Sequence, residues 1–140
     1  LDYNTTGLLL LTNDGELAFA LTHPSHEVKK VYQVLVKGVP ARTALHKLRT
    51  GVWLEDGLTL PAEVDIIKTK AGNAMLRIGL REGRKREVRR MCKVVGHPVL
   101  ELARVAMGTL ELGDLPLGQY RWLTAAEIKA LVEVAQPGRS

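Results

Sequence analysis

Apolar positions along the chain change period several times, and each change marks a new element. Leu8 to Leu11 is an unbroken leucine run followed by Thr12 and the turn signal Asn13-Asp14-Gly15, which predicts a short buried strand over Leu8 to Thr12. A helical segment from Glu16 to about Thr22 comes next, and His23-Pro24 ends it because proline pushes its predecessor out of the α region. Val31, Val34 and Val36, with Tyr32 among polar neighbours, predict a strand over Val28 to Lys37 that Gly38 closes. Pro40 to Thr50 reads as a helix with Leu45 and Leu48 on one side and Gly51 beyond its end. Two strands follow, Leu58 to Thr69 and Ala74 to Leu80, joined by Ala71-Gly72-Asn73 as a hairpin turn.

From Arg86 to Val95 the period becomes helical and the helix has two faces. Val88, Met91, Cys92 and Val95 recur at i, i+3, i+4 and i+7, and so do Arg86, Arg89, Arg90 and Lys93. One stripe is built to dock on a core and the opposite stripe presents cations. Gly96-His97-Pro98 stops this helix, Val99 to Met107 reads as a further strand, and a short segment is expected around Tyr120 to Leu123. Thr124 and Glu127 form a capping box for a last helix with Ile128, Leu131, Val132 and Ala135 as its buried stripe, followed by a fraying tail from Gln136. No internal repeat or linker interrupts the order, and strands mix with helices without regular βαβ alternation. The expected fold class is therefore α+β, a mixed and mainly antiparallel sheet flanked by helices, in a single domain over residues 1–140.

Composition narrows the function classes. With 140 residues, 46% of them hydrophobic, the chain can bury one real core. Its one cysteine, Cys92, excludes an internal disulfide and falls on an apolar stripe, where a core role fits. The four histidines are scattered and two adjoin prolines, which suits turns rather than metal ligation. The longest apolar run is far below the roughly 20 residues that span a bilayer, so no membrane contact is expected and the cytoplasm is the expected location. Trp53, Trp122 and Tyr120 read as packing residues. Charge matters more for where it lies than for its sum. The formal +5 resides entirely between residues 81 and 104, where eight basic residues outnumber three acids. Such a segment suits a local polyanion contact, and a solvated helix face explains it equally well.

The opening string Leu1-Asp2-Tyr3-Asn4-Thr5-Thr6-Gly7-Leu8-Leu9-Leu10-Leu11-Thr12-Asn13-Asp14-Gly15 sets a carboxylate in a polar loop just before an apolar run, a place where catalytic groups often sit. By itself that pattern does not single out Asp2 over a capping residue. The string closely resembles the aspartate motif of bacterial rRNA pseudouridine synthases of the RsuA/RluB type. The resemblance continues through Thr22-His23-Pro24, Lys30-Val31-Tyr32-Gln33-Val34 and Glu82-Gly83-Arg84-Lys85-Arg86-Glu87-Val88-Arg89-Arg90-Met91. It extends to Gly96-His97-Pro98, Arg104-Val105 and Gly118-Gln119-Tyr120-Arg121-Trp122-Leu123-Thr124, in the family's order and over almost the whole chain.

That resemblance implies a pseudouridine synthase-like fold with a central RNA-binding cleft. It also implies a reaction in which the N1 glycosidic bond of a uridine is broken, the uracil turns in place, and its C5 is joined to the same ribose carbon, with no cofactor or metal. Asp2 corresponds to the nucleophile, and a carboxylate suits the role because it can add covalently and leave again. Attack on ribose C1′ and on uracil C6 both remain open. Arg89 corresponds to the cation that orients the ionised carboxylate. Tyr32 corresponds to the active-site tyrosine that stacks on the flipped base and assists removal of the C5 proton. Val88 falls where an aliphatic side chain packs on the uracil, a position that core packing explains equally well. Lys30, Arg84, Lys85, Arg86, Arg90 and Lys93 are expected to contact the RNA backbone, setting affinity and orientation rather than sequence choice.

The expected partner is ribosomal RNA, with 23S rRNA preferred, and a monomer is the default. An N-terminal S4-type RNA-binding domain, common in the family, is expected to precede this fragment. A non-catalytic RNA-binding module and a domain meeting an acidic protein partner both explain the basic segment. Neither explains the ordered aspartate, tyrosine and arginine motifs.

Overall fold

The computed structural model describes residues 4–23 and 27–135. The order is β1 (Thr6–Gly7), α1 (Gly15–Thr22), β2 (Lys30–Val36), α2 (Arg42–Thr50), β3 (Trp53–Leu54), β4 (Gly57–Leu58), β5 (Glu63–Lys70), β6 (Asn73–Leu80), α3 (Glu87–Val94), β7 (Val99–Met107), β8 (Leu110–Glu111) and α4 (Ala125–Ala135). The main sheet runs β1-β7-β2-β6-β5, with β8 paired to β7, and β3 and β4 form a separate hairpin. Every pairing is antiparallel except β1 with β7, so the α+β, mainly antiparallel expectation holds.

The strand expected over Leu8 to Thr12 is displaced. Pairing is confined to Thr6–Gly7 and continues only as the Leu8 N–H donating to the Arg104 carbonyl at 2.7 Å. Leu8 and Leu10 turn inward while Leu9 and Leu11 stay exposed, so the leucine run is a half-buried connection rather than a buried strand. Gly7 explains why the pairing starts there. At φ +109° its hydrogen faces β7, where an added Cβ would sit 2.1 Å from the Arg104 carbonyl oxygen. The long strand expected over Leu58 to Thr69 is likewise two pieces, β4 and β5. Thr59, Leu60, Pro61 and Ala62 separate the β3–β4 hairpin from the sheet edge.

Alternation along the strands sorts the molecule into two cores. Val34 and Val36 of β2, Leu76 and Ile78 of β6 and Leu102 of β7 share a sheet face that Leu48 of α2 and Val88, Met91 and Cys92 of α3 cover. A second core joins Ala20 and Leu21 of α1 to Leu131 and Ala135 of α4, with Val28, Met107 and Leu110 beneath them. Asp14 caps α1 by accepting from the Leu17 N–H at 3.1 Å. The capping box of α4 forms as expected, with Thr124 Oγ1 accepting from the Glu127 N–H at 3.1 Å and the Glu127 carboxylate accepting from the Thr124 N–H at 2.9 Å. Ile128, expected in the stripe of that helix, remains exposed, and Leu131 and Ala135 make the contact. Among the described residues no helix is long and apolar enough to cross a membrane.

Candidate active-site cleft

Between the two cores the sheet face is open, and a cleft of about 490 Å³ lies there. Ala18, Leu21 and Thr22 of α1 form one wall, and the 82–88 segment leading into α3 forms the other. The floor is the sheet. Tyr32 pairs with Ile78 on one side and with Arg104 on the other, so these side chains sit side by side across three strands. A register shift between Val31 and Tyr32 in the β2–β7 pairing is the local irregularity at this point.

Lys30, Tyr32, Arg84, Lys85, Arg86 and Val88 all line this one cleft, although they come from separate parts of the chain. Tyr32 is partly buried against the larger core, as a strand residue with one edge in a cleft should be. Val88 is buried in that core and also lines the cleft. Asp2 lies outside the described residues. What can be placed is its neighbourhood along the chain. Arg89 Nη2 donates to the Asn4 carbonyl at 2.7 Å and reaches Thr5 Oγ1 at 3.5 Å, while Arg86 Nη1 donates to Asn4 Oδ1 at 3.2 Å. Two arginines of the α3 segment thus hold the stretch that follows Asp2.

Arg84 and Arg90 do something else. Arg84 donates to the carbonyls of Gly57 and Leu58 at 3.1 and 2.7 Å and to Glu82 Oε2 at 3.2 Å. Arg90 grips both carboxylate oxygens of Asp56 at 3.0 and 3.1 Å, a bidentate contact that holds the Asp56 carboxyl below its usual range. Both guanidiniums tie the β3–β4 hairpin to the basic segment. Lys93 is exposed on the outer face of α3 and does not line the cleft.

Two cleft residues carried no assigned role in the sequence. Arg104 is nearly buried, and its Nε donates to the Leu8 carbonyl at 2.8 Å, so its side chain and its backbone both fasten Leu8. Its signal was present, since Leu102, Arg104 and Ala106 share the buried parity of β7. Glu87 is 3% exposed, and its carboxyl is pushed up to about 8, by burial first and then by its hydrogen bond with Glu82 and that group's charge. Its position four residues before the buried Met91 places it on the core side of α3. Burial also lowers Lys30, and the charge of Arg104 lowers it further.

Trp53, Tyr120 and Trp122 were expected to pack, and that expectation is corrected: they are 73%, 81% and 87% exposed. Their elements explain it, because the two-residue strand β3 has no second layer over Trp53 and the 120–122 segment adopts no regular structure. Cys92 is buried as expected, and burial pushes its thiol up to about 12. His97 serves its turn, its Nδ1 lying 2.8 Å from the Lys37 carbonyl. Among the described residues no group of three or more His, Cys, Asp or Glu side chains is placed to hold a metal ion.

The fold and the cleft together define an α+β domain built around one cation-rimmed cavity large enough for a single base. A family model described as RNA pseudouridylate synthase matches residues 1–93, and the chain belongs to that family. The ribosomal large subunit pseudouridine synthase B of Bacillus subtilis is 43% identical over 142 residues, covering 100% of this chain and 58% of the relative. The ribosomal large subunit pseudouridine synthase E of Vibrio parahaemolyticus is 42% identical over 135 residues, covering 86% of this chain and 57% of the relative. A crystal structure of a pseudouridylate synthase superposes with a TM-score of 0.87 at 34% identity, over 94% of this chain and 56% of that one. The archaeal box H/ACA sRNP Nop10–Cbf5 complex contains a chain alike in fold, with a TM-score of 0.60 at 19% identity over 79% of this chain and 38% of that chain. The chain spans about half the length of the curated relatives it matches.

Proposed function

We propose that this chain is the catalytic domain of an enzyme that isomerises a specific uridine of ribosomal RNA, in the large subunit's 23S rRNA, to pseudouridine. The observation that carries the proposal is convergence. Lys30, Tyr32 and Val88 line one cleft, and Arg89 of the adjoining helix is bonded to the backbone two residues after Asp2. In this reading the target uridine is flipped into the cleft, since neither bond of interest can be reached inside a stack. Tyr32 stacks on the base, Val88 packs on it, and Asp2 is the nucleophile that Arg89 keeps ionised and aimed. Covalent addition and departure of a carboxylate replace one hard step by easier ones without a cofactor or metal.

RNA-backbone contacts fall to Lys30, Lys85 and Arg86 at the cleft and Lys93 on the outer face of α3. Arg84 and Arg90 add to the positive field while holding the hairpin. Names of relatives support the large subunit as substrate, because two of them are large-subunit synthases. An S4-type module ahead of this domain would supply RNA capture, and the domain acts as a monomer in the cytoplasm.

Tritium release from rRNA labelled at uracil C5 tests the proposal, with this chain, an N-terminally longer chain, and the Asp2→Asn variant of each. Release from 23S rRNA that vanishes with Asp2→Asn, while RNA binding persists, is expected. Release that survives Asp2→Asn refutes the nucleophile, and no release from any of them on 23S or 16S rRNA favours a binding module.

A further inference from the structure

Two carboxyl groups at the edge of the cleft have no part in the chemistry above. Glu82 follows β6 and is fully engaged by N–H donors: its Oε1 accepts from Leu60 N–H at 2.9 Å and its Oε2 from Arg84 Nε at 3.2 Å. Glu87 opens α3, and its Oε1 accepts from the Arg84 N–H at 3.1 Å. Glu87 Oε2 is buried and receives no N–H or hydroxyl donor among the described residues. The two carboxyls meet at Arg84, which donates its backbone N–H to Glu87 Oε1 and its Nε to Glu82 Oε2, and the neighbouring Glu82 raises the Glu87 carboxyl beyond what burial does. An ionised carboxylate only accepts, so two of them in contact repel, and the contact becomes a bond only when one holds a proton. The donors gathered on Glu82 favour its ionised form, which leaves the proton to the more buried Glu87.

We propose that Glu87 is a neutral acid donating its proton to Glu82, and that this shared-proton pair positions the 82–86 turn and the first turn of α3 against the cleft. The pair closes a loop that otherwise has reason to open. Arg86 sits in the left-handed region at φ 51°, a strained conformation for a non-glycine residue that persists only when its surroundings hold it. From this loop project Lys85 and Arg86, and two residues beyond Glu87 comes Arg89. The charged groups acting on the pair are Arg84 in the turn, Lys30 on β2 with Arg104 of β7 behind it, and Arg90 on α3 itself. Their positive charge favours loss of the proton, while burial and Glu82 oppose it. Deprotonation as pH passes about 8 sets two carboxylates against each other and loosens the turn. The functional consequence rests on the reading of the cleft as a uridine site.

The test uses the whole chain with 13Cδ-labelled glutamate, followed by NMR titration, together with tritium release across the alkaline range. The Glu87 resonance is expected to titrate near pH 8, and Glu82→Gln, which removes the facing charge, to lower that midpoint. Glu87→Gln keeps a neutral donor of the same shape, so it should retain turnover at neutral pH within about two-fold and lack the alkaline fall expected of the wild type. A Glu87 midpoint in the ordinary carboxylate range overturns the pair. An alkaline fall identical in wild type and Glu87→Gln, or a loss of more than about ten-fold at every pH in that variant, overturns its positioning role. If no form of the chain releases tritium, the uridine reading fails, while the NMR midpoints still decide whether the proton is shared.

Discussion

Arg84 and Arg90 differ from Arg86 and Arg89 in what they hold, although all four lie within one basic segment. The first two bind Asp56 and the carbonyls of the β3–β4 hairpin, and the second two bind Asn4 and Thr5. Arg84 lies in the turn before α3, and Arg89 and Arg90, adjacent in sequence, point about 100° apart on the helix. Arg86, Arg89, Arg90 and Lys93 form one stripe, but neighbours on that stripe diverge enough to meet different elements. A cationic run is therefore not one RNA-binding face. Half of it holds the β3–β4 hairpin, and the other half holds the N-terminal segment that follows Asp2.

The largest break in this comparison is expected at Arg89. Arg89→Met removes the donor to the Asn4 carbonyl and, in the proposed mechanism, the cation facing Asp2. Turnover should fall by at least about a hundred-fold, the scale of a misplaced reacting group, with RNA affinity changed far less. Single-turnover tritium release beside filter binding reads both. Equal losses in affinity and turnover would make Arg89 another backbone contact.

Arg84 and Arg90 should instead show in stability. Arg84→Met strips hydrogen bonds from two carbonyls and from Glu82, and a loss on the order of 2 kcal/mol is expected. Arg90→Met breaks an exposed pair with Asp56 and a bond from its Nε to the Lys85 carbonyl, and should cost less than Arg84→Met. Thermal unfolding ranks them, and an inverted ranking would mean that the Asp56 grip, not the carbonyl contacts, carries the hairpin.

How much of this was legible in the sequence follows from how local each signal is. The two-faced helix at α3 and the capping box of α4 depend on spacings of a few residues and were read correctly. The leucine run was read as a buried strand because burial of four consecutive apolar residues is the simplest reading of such a run. In the folded chain Gly7 and the double grip of Arg104 on Leu8 decide where pairing begins, and Arg104 lies 96 residues away along the chain. The β3–β4 hairpin escaped notice for a similar reason, since two-residue strands show no alternation to detect. At the site, Tyr32 and Val88 looked like ordinary core residues, and only the ordered motifs marked them. Glu87 and Arg104 were charged residues at core-facing positions, a conflict visible in the pattern whose resolution needed partners from other elements.

The smallest expected effect separates the two halves most cleanly, because it concerns charge alone. Lys85, Arg86 and Lys93 are exposed, so removing their charge should cost little stability. Each phosphate neutralised by a cation releases condensed counterions, so the logarithm of RNA affinity falls linearly with the logarithm of salt, with a slope proportional to the number of contacts. Lys85→Ala and Lys93→Ala should each flatten that slope by about 0.7–0.9 while leaving turnover at saturating RNA unchanged. Arg90→Met should leave the slope nearly as it was, because its guanidinium is already neutralised by Asp56. A full unit lost from Arg90 would show that RNA competes with Asp56 for that guanidinium. The hairpin would then be released on binding, and scaffold and contact would be one set of residues in two states.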